Sequence, residues 1–217
     1  MNKRVVIVVG GKLDPGDLAK IQHEDWVIGV DAGVLPLLET KMPIHLAVGD
    51  FDTAGQHVVQ HLYEKGVPVK RLPAAKDVTD TYYAVEQALE RNPNEIILLG
   101  ALGGARMDHA FANLVLLEKI EAAGVEGVVS NRDNKIRLLT AEKGEIILHK
   151  DRRYRYISLL ALTDQVDGVT IRGFAFPLSN AKLTRMDSVG ISNEQREEKA
   201  SIRIQSGKLL IIESRDG

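Results

Sequence analysis

Ile44-His45-Leu46-Ala47-Val48-Gly49-Asp50-Phe51-Asp52 settles the class of architecture. A short apolar run ends at a glycine, and two carboxylates follow one residue apart. A brief apolar run bounded by turn residues suits a strand covered on both faces, as in a parallel sheet. In open α/β sheets ligands gather beyond the carboxyl ends of such strands. Two like charges this close resist ionising together, and a strand end offers them little capping benefit. A hard cation held by oxygen ligands compensates them, and magnesium is the usual one beside phosphates. The stretch therefore reads as strand, turn and metal-binding acids together.

The same texture continues on both sides of it. Arg4 to Val9, Trp26 to Val30, His45 to Val48, Val67 to Leu72 and Glu95 to Leu99 read as strands. Helical spacing lies between them. Gln56 to Lys65 carries Val58, Val59, Leu62 and Tyr63 on one side. Thr79 or Asp77 can cap the next helix, whose stripe is Tyr82, Val85, Ala88 and Leu89. Asp108 to Ala123 carries Phe111, Leu114, Val115 and Ile120, with Gly124 as the stop. Alternating strands and helices give an α/β domain whose sheet is mostly parallel, with helices on both faces.

Past residue 125 the pattern becomes strand after strand. Ile136 to Leu139, Glu145 to His149, Tyr154 to Leu162 and Val166 to Arg172 are expected strands, and Ser201 to Glu213 reads as a hairpin around Ser206-Gly207. This predicts a second, all-β domain, with the division set at 1–128 and 129–217.

The chain has 217 residues, 44% hydrophobic and 27% charged, as in ordinary globular proteins. Its 28 basic and 30 acidic residues argue against a broad nucleic-acid footprint. It has no cysteine, which excludes disulfides and thiolate metal sites. No run approaches the ~20 apolar residues of a membrane helix. A soluble, cytoplasmic protein is expected.

Six aspartates, Asp31, Asp50, Asp52, Asp77, Asp80 and Asp108, fall between residues 31 and 108, mostly where an apolar run gives way to a turn. Asp31 follows the second strand, and Asp50 and Asp52 the third. Lys76-Asp77-Val78-Thr79-Asp80 follows the fourth. Asp77 and Asp80 share a face if both lie in the first helical turn. Taken alone, Asp77 reads first as a cap, and Asp108 is equally ambiguous. Gly100-Ala101-Leu102-Gly103-Gly104-Ala105-Arg106 follows the fifth strand, where backbone N–H groups and a guanidinium suit phosphate. No Walker A loop is present. Gly10-Gly11-Lys12 is a less specific phosphate loop, and His109 has no evident partner.

In this order the motifs resemble the thiamine pyrophosphokinase family. The matching residues are Val30-Asp31-Ala32-Gly33, Gly49-Asp50-Phe51-Asp52, Lys76-Asp77-Val78-Thr79-Asp80, Gly103-Gly104-Ala105-Arg106-Met107-Asp108-His109 and Ser188-Val189-Gly190-Ile191-Ser192-Asn193. The resemblance implies an N-terminal α/β domain that binds ATP and magnesium, and a C-terminal β-sandwich that contributes to thiamine binding and dimerisation. It implies transfer of pyrophosphate from ATP to the thiamine hydroxyl, giving thiamine diphosphate and AMP. It also implies a homodimer with a shared active site.

Carried over by motif, Asp50, Asp52 and Asp80 are the expected magnesium ligands. Asp31 and Asp77 are expected as supporting acids, one of them accepting the hydroxyl proton. Lys76, Thr79, Gly103, Gly104, Arg106 and Asp108 are expected at the nucleotide, and Ser188, Ser192 and Asn193 at thiamine. Some members place a tryptophan just past the Ser-Asn pair. Here Glu194-Gln195-Arg196 stands there and the only tryptophan is Trp26, so the stacking partner is unassigned. Ala32-Gly33 stands where two glycines are frequent. The rival reading is a metal-dependent glycosyltransferase, which also uses Asp-x-Asp after a strand.

Overall fold

Charge-free runs of valine, isoleucine and leucine leave neither face for water, so they must be covered above and below. The computed structural model describes residues 3–14, 16–52, 54–73 and 77–216. It divides into the units Met1–Arg132 and Asp133–Gly217.

In the first unit the strands are β1 (Arg4–Val8), β2 (Trp26–Val30), β3 (Leu46–Gly49), β4 (Val69–Arg71), β5 (Glu95–Leu99) and β6 (Glu126–Ser130). Their order is β4-β3-β2-β1-β5-β6, and every neighbouring pair is parallel. β4 is shorter than the expected Val67 to Leu72, because Pro68 has no N–H to give a ladder and β4 is an edge. β6 was not expected. It is a five-residue run at the change of texture, and a division at 128/129 would fall inside it. The helices are α1 (Val34–Glu39), α2 (Gln56–Glu64), α3 (Asp80–Leu89) and α4 (Met107–Ala122). Strand residues alternate between faces. Val6, Val8, Val27, Ile97, Leu99 and Val128 pack with Leu18 and with Leu37 of α1. α3 packs against β1, β2 and β3, and α4 against β6.

In the second unit β7 (Asn134–Thr140), β9 (Tyr156–Ala161) and β13 (Lys208–Ser214) pair antiparallel with β13 in the middle. The opposing sheet runs β11-β10-β12-β8. It contains β8 (Glu145–His149), β10 (Gln165–Arg172), β11 (Leu178–Thr184) and β12 (Lys199–Arg203). The two sheets enclose one core, which includes Leu139, Leu148, Leu159, Val169, Ile171, Ile202 and Ile211.

The expected hairpin from Ser201 to Glu213 does not form. β12 pairs with β10 and β8, whereas β13 pairs with β7 and β9. The chain crosses between the layers at Ile204–Gly207, where the N–H groups of Gln205 and Ser206 donate to the Asp167 carbonyl. Ile202, Ile204, Leu209 and Ile211 all face the same core, from opposite sides. β11 escaped notice because most of its residues are only partly buried or exposed. Among the described residues no helix is long and apolar enough to cross a membrane.

Candidate active site

β1 lies between β2 and β5, so the chain order reverses there and the loops after β1 and β5 part to open a crevice. The registers Val8↔Gly29, Val8↔Leu99 and Val30↔Val48 keep the carboxyl ends level. A cavity of about 460 Å³ occupies this place. Its walls come from the loop after β1 (Gly10, Gly11, Lys12), from Asp31 and Ala32 after β2, from Thr79, Asp80 and Thr81 at α3, and from Gly100, Ala101 and Gly103 to Arg106 with His109 and Asn113 at α4. A Cβ on Gly11 would stand 2.2 Å from the Gly100 carbonyl oxygen, so a side chain there would force the two loops apart.

Beside this cavity three carboxylates meet. Asp31, Asp50 and Asp52 each bring an oxygen within 4.8 Å of the others. Asp31 ends β2 and opens a single 3-10 turn, at φ 44°. A Cβ on Gly49 would lie 3.2 Å from Asp31, so the bare glycine lets the end of β3 close against it. Phe51 takes φ 58°, a costly conformation for a bulky side chain, and is wholly buried among Val34, Ala47, Ala54, Val58, Val59 and Leu62. Burial of the aromatic ring holds the turn, and the flanking acids are left partly or fully open to solvent. The Asp52 N–H donates to Asp50 Oδ1 at 3.2 Å. Oxygen donors alone, gathered this closely, fit a hard divalent cation such as magnesium.

Asp80 is not in that group. It is the first residue of α3 and lines the cavity with Asp31. Thr79 is the N-cap and accepts the Tyr82 N–H at 3.1 Å. Asp77 therefore precedes the helix and does not share its first turn with Asp80. Its side chain is exposed. Lys76 lies outside the described residues. Gly103 and Gly104 line the cavity with no side chain between their backbone and the space. Arg106 precedes α4 and grips Asp108, with Nε–Oδ1 at 2.9 Å and Nη2–Oδ2 at 2.6 Å. This pair holds the Asp108 carboxyl well below the usual carboxylate range and raises Arg106. Both side chains are mostly exposed, and exposed pairs are easily exchanged for another anion.

Two cavity residues escaped the sequence reading. Asn113 and Thr81 are each 6% exposed. The missed signal for Asn113 is its place on α4's buried stripe with Ala110, Leu117 and Ile120, where an amide is out of keeping.

In the second unit, the loop Ser188 to Asn193 lies along β9. The Gly190 carbonyl accepts the Leu159 N–H at 2.8 Å, and the Ser192 N–H donates to Ser158 Oγ at 3.0 Å. Ser188 and Ser192 are exposed, whereas Asn193 is buried. The Asn193 amide is engaged through both its nitrogen and its oxygen. Nδ2 donates to the Phe176 carbonyl at 2.8 Å, and Oδ1 accepts the N–H of Phe176 at 3.1 Å and of Glu194 at 2.9 Å. Asn193 thereby fixes the backbone of Phe176, whose side chain is left largely in solvent. Met186, Val189 and Ile191, in and beside the same loop, are also exposed.

Residues 19–129 match the family model described as thiamin pyrophosphokinase, catalytic domain, and residues 144–210 match thiamin pyrophosphokinase, vitamin B1 binding domain. The thiamine pyrophosphokinase of Bacillus subtilis (strain 168) is 33% identical over 219 residues, covering 99% of this chain and 100% of that protein. The crystal structure of thiamine pyrophosphokinase from Bacillus subtilis matches with a TM-score of 0.91 at 30% identity, covering 99% of this chain and 100% of that one. The crystal structure of a thiamin pyrophosphokinase family protein from Enterococcus faecalis gives 0.86 at 33% identity, with 99% and 100% covered. Yeast thiamin pyrophosphokinase, at 15% identity and a TM-score of 0.80 over 99% of this chain and 87% of that one, shares the fold.

Proposed function

The chain belongs to the thiamin pyrophosphokinase family, and from that premise we propose how its residues divide the work. The enzyme is a diphosphotransferase. It moves the terminal pyrophosphoryl group of ATP to the hydroxyl of thiamine and releases AMP. The single observation that carries the site assignment is the meeting of Asp31, Asp50 and Asp52 beside a cavity at the switch point of the sheet. The glycosyltransferase alternative has no support, since both halves of the chain match one family.

ATP occupies the cavity between the loops after β1 and β5. Gly103, Gly104 and the start of α4 receive its phosphates through backbone N–H groups. Lys12 lines the same wall, and Lys76, carried over by motif, is retained as a nucleotide contact. Arg106 leaves Asp108 and takes a phosphate oxygen instead, because a multiply charged phosphate outcompetes one exposed carboxylate. Before ATP binds, Asp108 holds the guanidinium ready. Asp31, Asp50 and Asp52 would hold magnesium, and Asp80, in the same cavity wall as Asp31, is the fourth acid at the polyphosphate. Held there, the ion would supply neutralisation of the charge on the polyphosphate and the departing AMP. In the transfer the thiamine oxygen bonds the β-phosphorus, the bond from that phosphorus to the α-phosphate oxygen breaks, and the hydroxyl proton leaves to the carboxylate edge. Such transfers rely on positioning more than on a strong base, and no separate base is assigned.

Thiamine is held by the second unit. Ser188 and Ser192 offer hydroxyls at the surface of the loop. Phe176 takes the place of the missing tryptophan, since its exposed ring can lie against a cationic thiazolium. Asn193 acts through Phe176, by fixing its backbone. The enzyme works as a homodimer in which one subunit's thiamine loop faces the other's nucleotide cavity. Two apolar surfaces support this. Met107, Phe111 and Val115 form an exposed stripe on α4 beside the cavity, and Met186, Val189 and Ile191 lie in and beside the thiamine loop. Patches of this kind mark association surfaces.

Incubation with ATP, magnesium and thiamine, followed by identification of the nucleotide, tests the reading. AMP formed only when thiamine is present is the expected result. ADP, or no nucleotide product, would overturn it.

A further inference from the structure

The loop after β1 is one wall of the nucleotide cavity, and its far end is fastened by a carboxylate that the transfer does not use. Val9 ends the ladder by donating its N–H to the Leu99 carbonyl at 2.8 Å. The chain then passes through Gly10, Gly11 and Lys12, which line the cavity. It is fixed again at Asp14. The Asp14 N–H donates to Asp17 Oδ2 at 2.9 Å, and the Asp17 N–H donates back to the Asp14 carbonyl at 2.9 Å. Asp17 is 0% exposed. A carboxylate so deeply buried is costly without a cation beside it. Lys20 supplies that cation. Its Nζ donates to Asp17 Oδ1 at 3.1 Å, to Ser130 Oγ at 2.9 Å and to the Asn131 carbonyl. These bonds use all three donors of an ammonium group. The pair therefore ties the loop after β1 to the last residue of β6.

The loop has little slack in which to absorb a shift. A Cβ on Gly100 would stand 2.4 Å from the Val9 carbonyl oxygen and 3.3 Å from the Leu13 side chain. The loop after β1 and the glycine-rich loop after β5 thus pack backbone against backbone, and displacing Asp14 would disturb both walls. Resting on the reading of this cavity as the ATP site, we infer that Asp17 and Lys20 are positioning residues for the nucleotide. Neither touches substrate. Asp17 sets where the loop stands, and Lys20 keeps the carboxylate in place. The rival role is stability alone. Loss of the pair would then lower Tm and leave the folded molecules with an ordinary KM for ATP.

The test measures KM for ATP and for thiamine at saturating magnesium, with a thermal melt of each variant. Asp17→Ala removes the anchor of Asp14, and Lys20→Met leaves the carboxylate buried without its cation. Each should raise the KM for ATP roughly tenfold, less than the hundredfold that a misplacement of about 1 Å can cost. The KM for thiamine should stay within about twofold of wild type, because the loop faces the nucleotide. Asp17→Asn keeps an oxygen for the Asp14 N–H and removes the charge. It should lower Tm yet hold the KM for ATP within about threefold of wild type. Added to Lys20→Met, it should bring the KM for ATP back toward wild type, a coupling that independent losses of stability do not produce. Should Asp17→Ala fail to fold, Lys20→Met with and without Asp17→Asn carries the comparison. A wild-type KM for ATP in folded Asp17→Ala or Lys20→Met overturns the inference, and so does an equal rise for thiamine. Absence of AMP from the wild-type reaction would instead remove the reading of the cavity on which the inference rests.

Discussion

The two ends of the parallel sheet both carry charge, and they handle it in opposite ways. At the amino end Arg4 of β1 meets Asp25, just ahead of β2, through Nε–Oδ1 at 2.7 Å and Nη2–Oδ2 at 2.6 Å. Glu95 of β5 lies 3.9 Å from the same guanidinium, and Arg91 lies over the Trp26 ring at 4.2 Å. Arg4 thus has anions and Arg91 an aromatic face. At the carboxyl end three carboxylates gather within 4.8 Å. Paired opposite charges stabilise a fold only modestly, but breaking a buried pair is costly. Gathered like charges work against the fold, so their place is explained by a ligand. Substitution should therefore reduce stability at one end and activity at the other.

The largest effect is expected from Asp52→Asn. The side chain is exposed and its removal relieves repulsion, so Tm should hold within about 2 °C or rise. Loss of a ligand for magnesium should reduce kcat by roughly a thousandfold. AMP release measured across magnesium concentrations, beside a thermal melt, reads both. A variant that unfolds more easily yet keeps its rate would erase the contrast between the two ends.

Asp25→Ala is the mirror experiment. Asp25 is 3% exposed and also accepts the Gln22 N–H at 2.6 Å. Truncation removes the nearer acid from Arg4, leaving it Glu95 and the Lys20 carbonyl, and should cost about 3 kcal/mol of stability. For a chain of this length that is a fall in Tm of roughly 6–12 °C. Turnover per folded molecule, measured well below the new Tm, should match wild type. A large loss of kcat without loss of stability would place this end in the chemistry.

The strand-end acids were legible because turn-forming aspartates stand out against apolar runs, and the strand order then brings their loops together. What holds them was not legible. Phe51 reads as one more apolar residue until its buried ring and positive φ show that it anchors the turn between two acids. Asn113 was overlooked because an amide on a helical stripe is a weak signal without the cavity beside it. The Ser201–Glu213 segment was misread for a different reason. Period-two alternation reports which residues face a core, and β12 and β13 face the same core from two sheets. Alternation cannot say which partner strand each one takes. Asn193 was expected at thiamine, and the engagement of its amide by the Phe176 backbone was not legible in the sequence.

The second unit sharpens the comparison, since its polar loop residue is buried and its exposed side chain is aromatic. Phe176→Ala should raise the KM for thiamine roughly tenfold, the scale of one stacked or cation–π contact. The KM for ATP should stay unchanged. Asn193→Ala should act in the same direction and also lower Tm, because it frees the Phe176 backbone. Equal losses for both substrates would remove the loop from thiamine recognition.

The smallest effect belongs to the amino end and is set by pH. His45 Nδ1 accepts the Val27 N–H at 3.0 Å, a bond that only the neutral ring can make. Burial, and after it the charge of Arg91, hold the imidazole below its ordinary value of 6.5. Protonation is thus less favourable in the folded chain than in the unfolded one. The contribution of His45 to stability is intact above about pH 6.5 and declines as pH falls through the lower folded value. The residue is only partly buried, so the change should stay below about 1 kcal/mol, or roughly 2–4 °C in Tm. His45→Gln lacks a group titrating in this window, and its melting curve between pH 7.5 and 5 should run flatter than wild type by that amount. Parallel curves would show that the Val27 bond survives acid, leaving the charged groups at this end indifferent to pH.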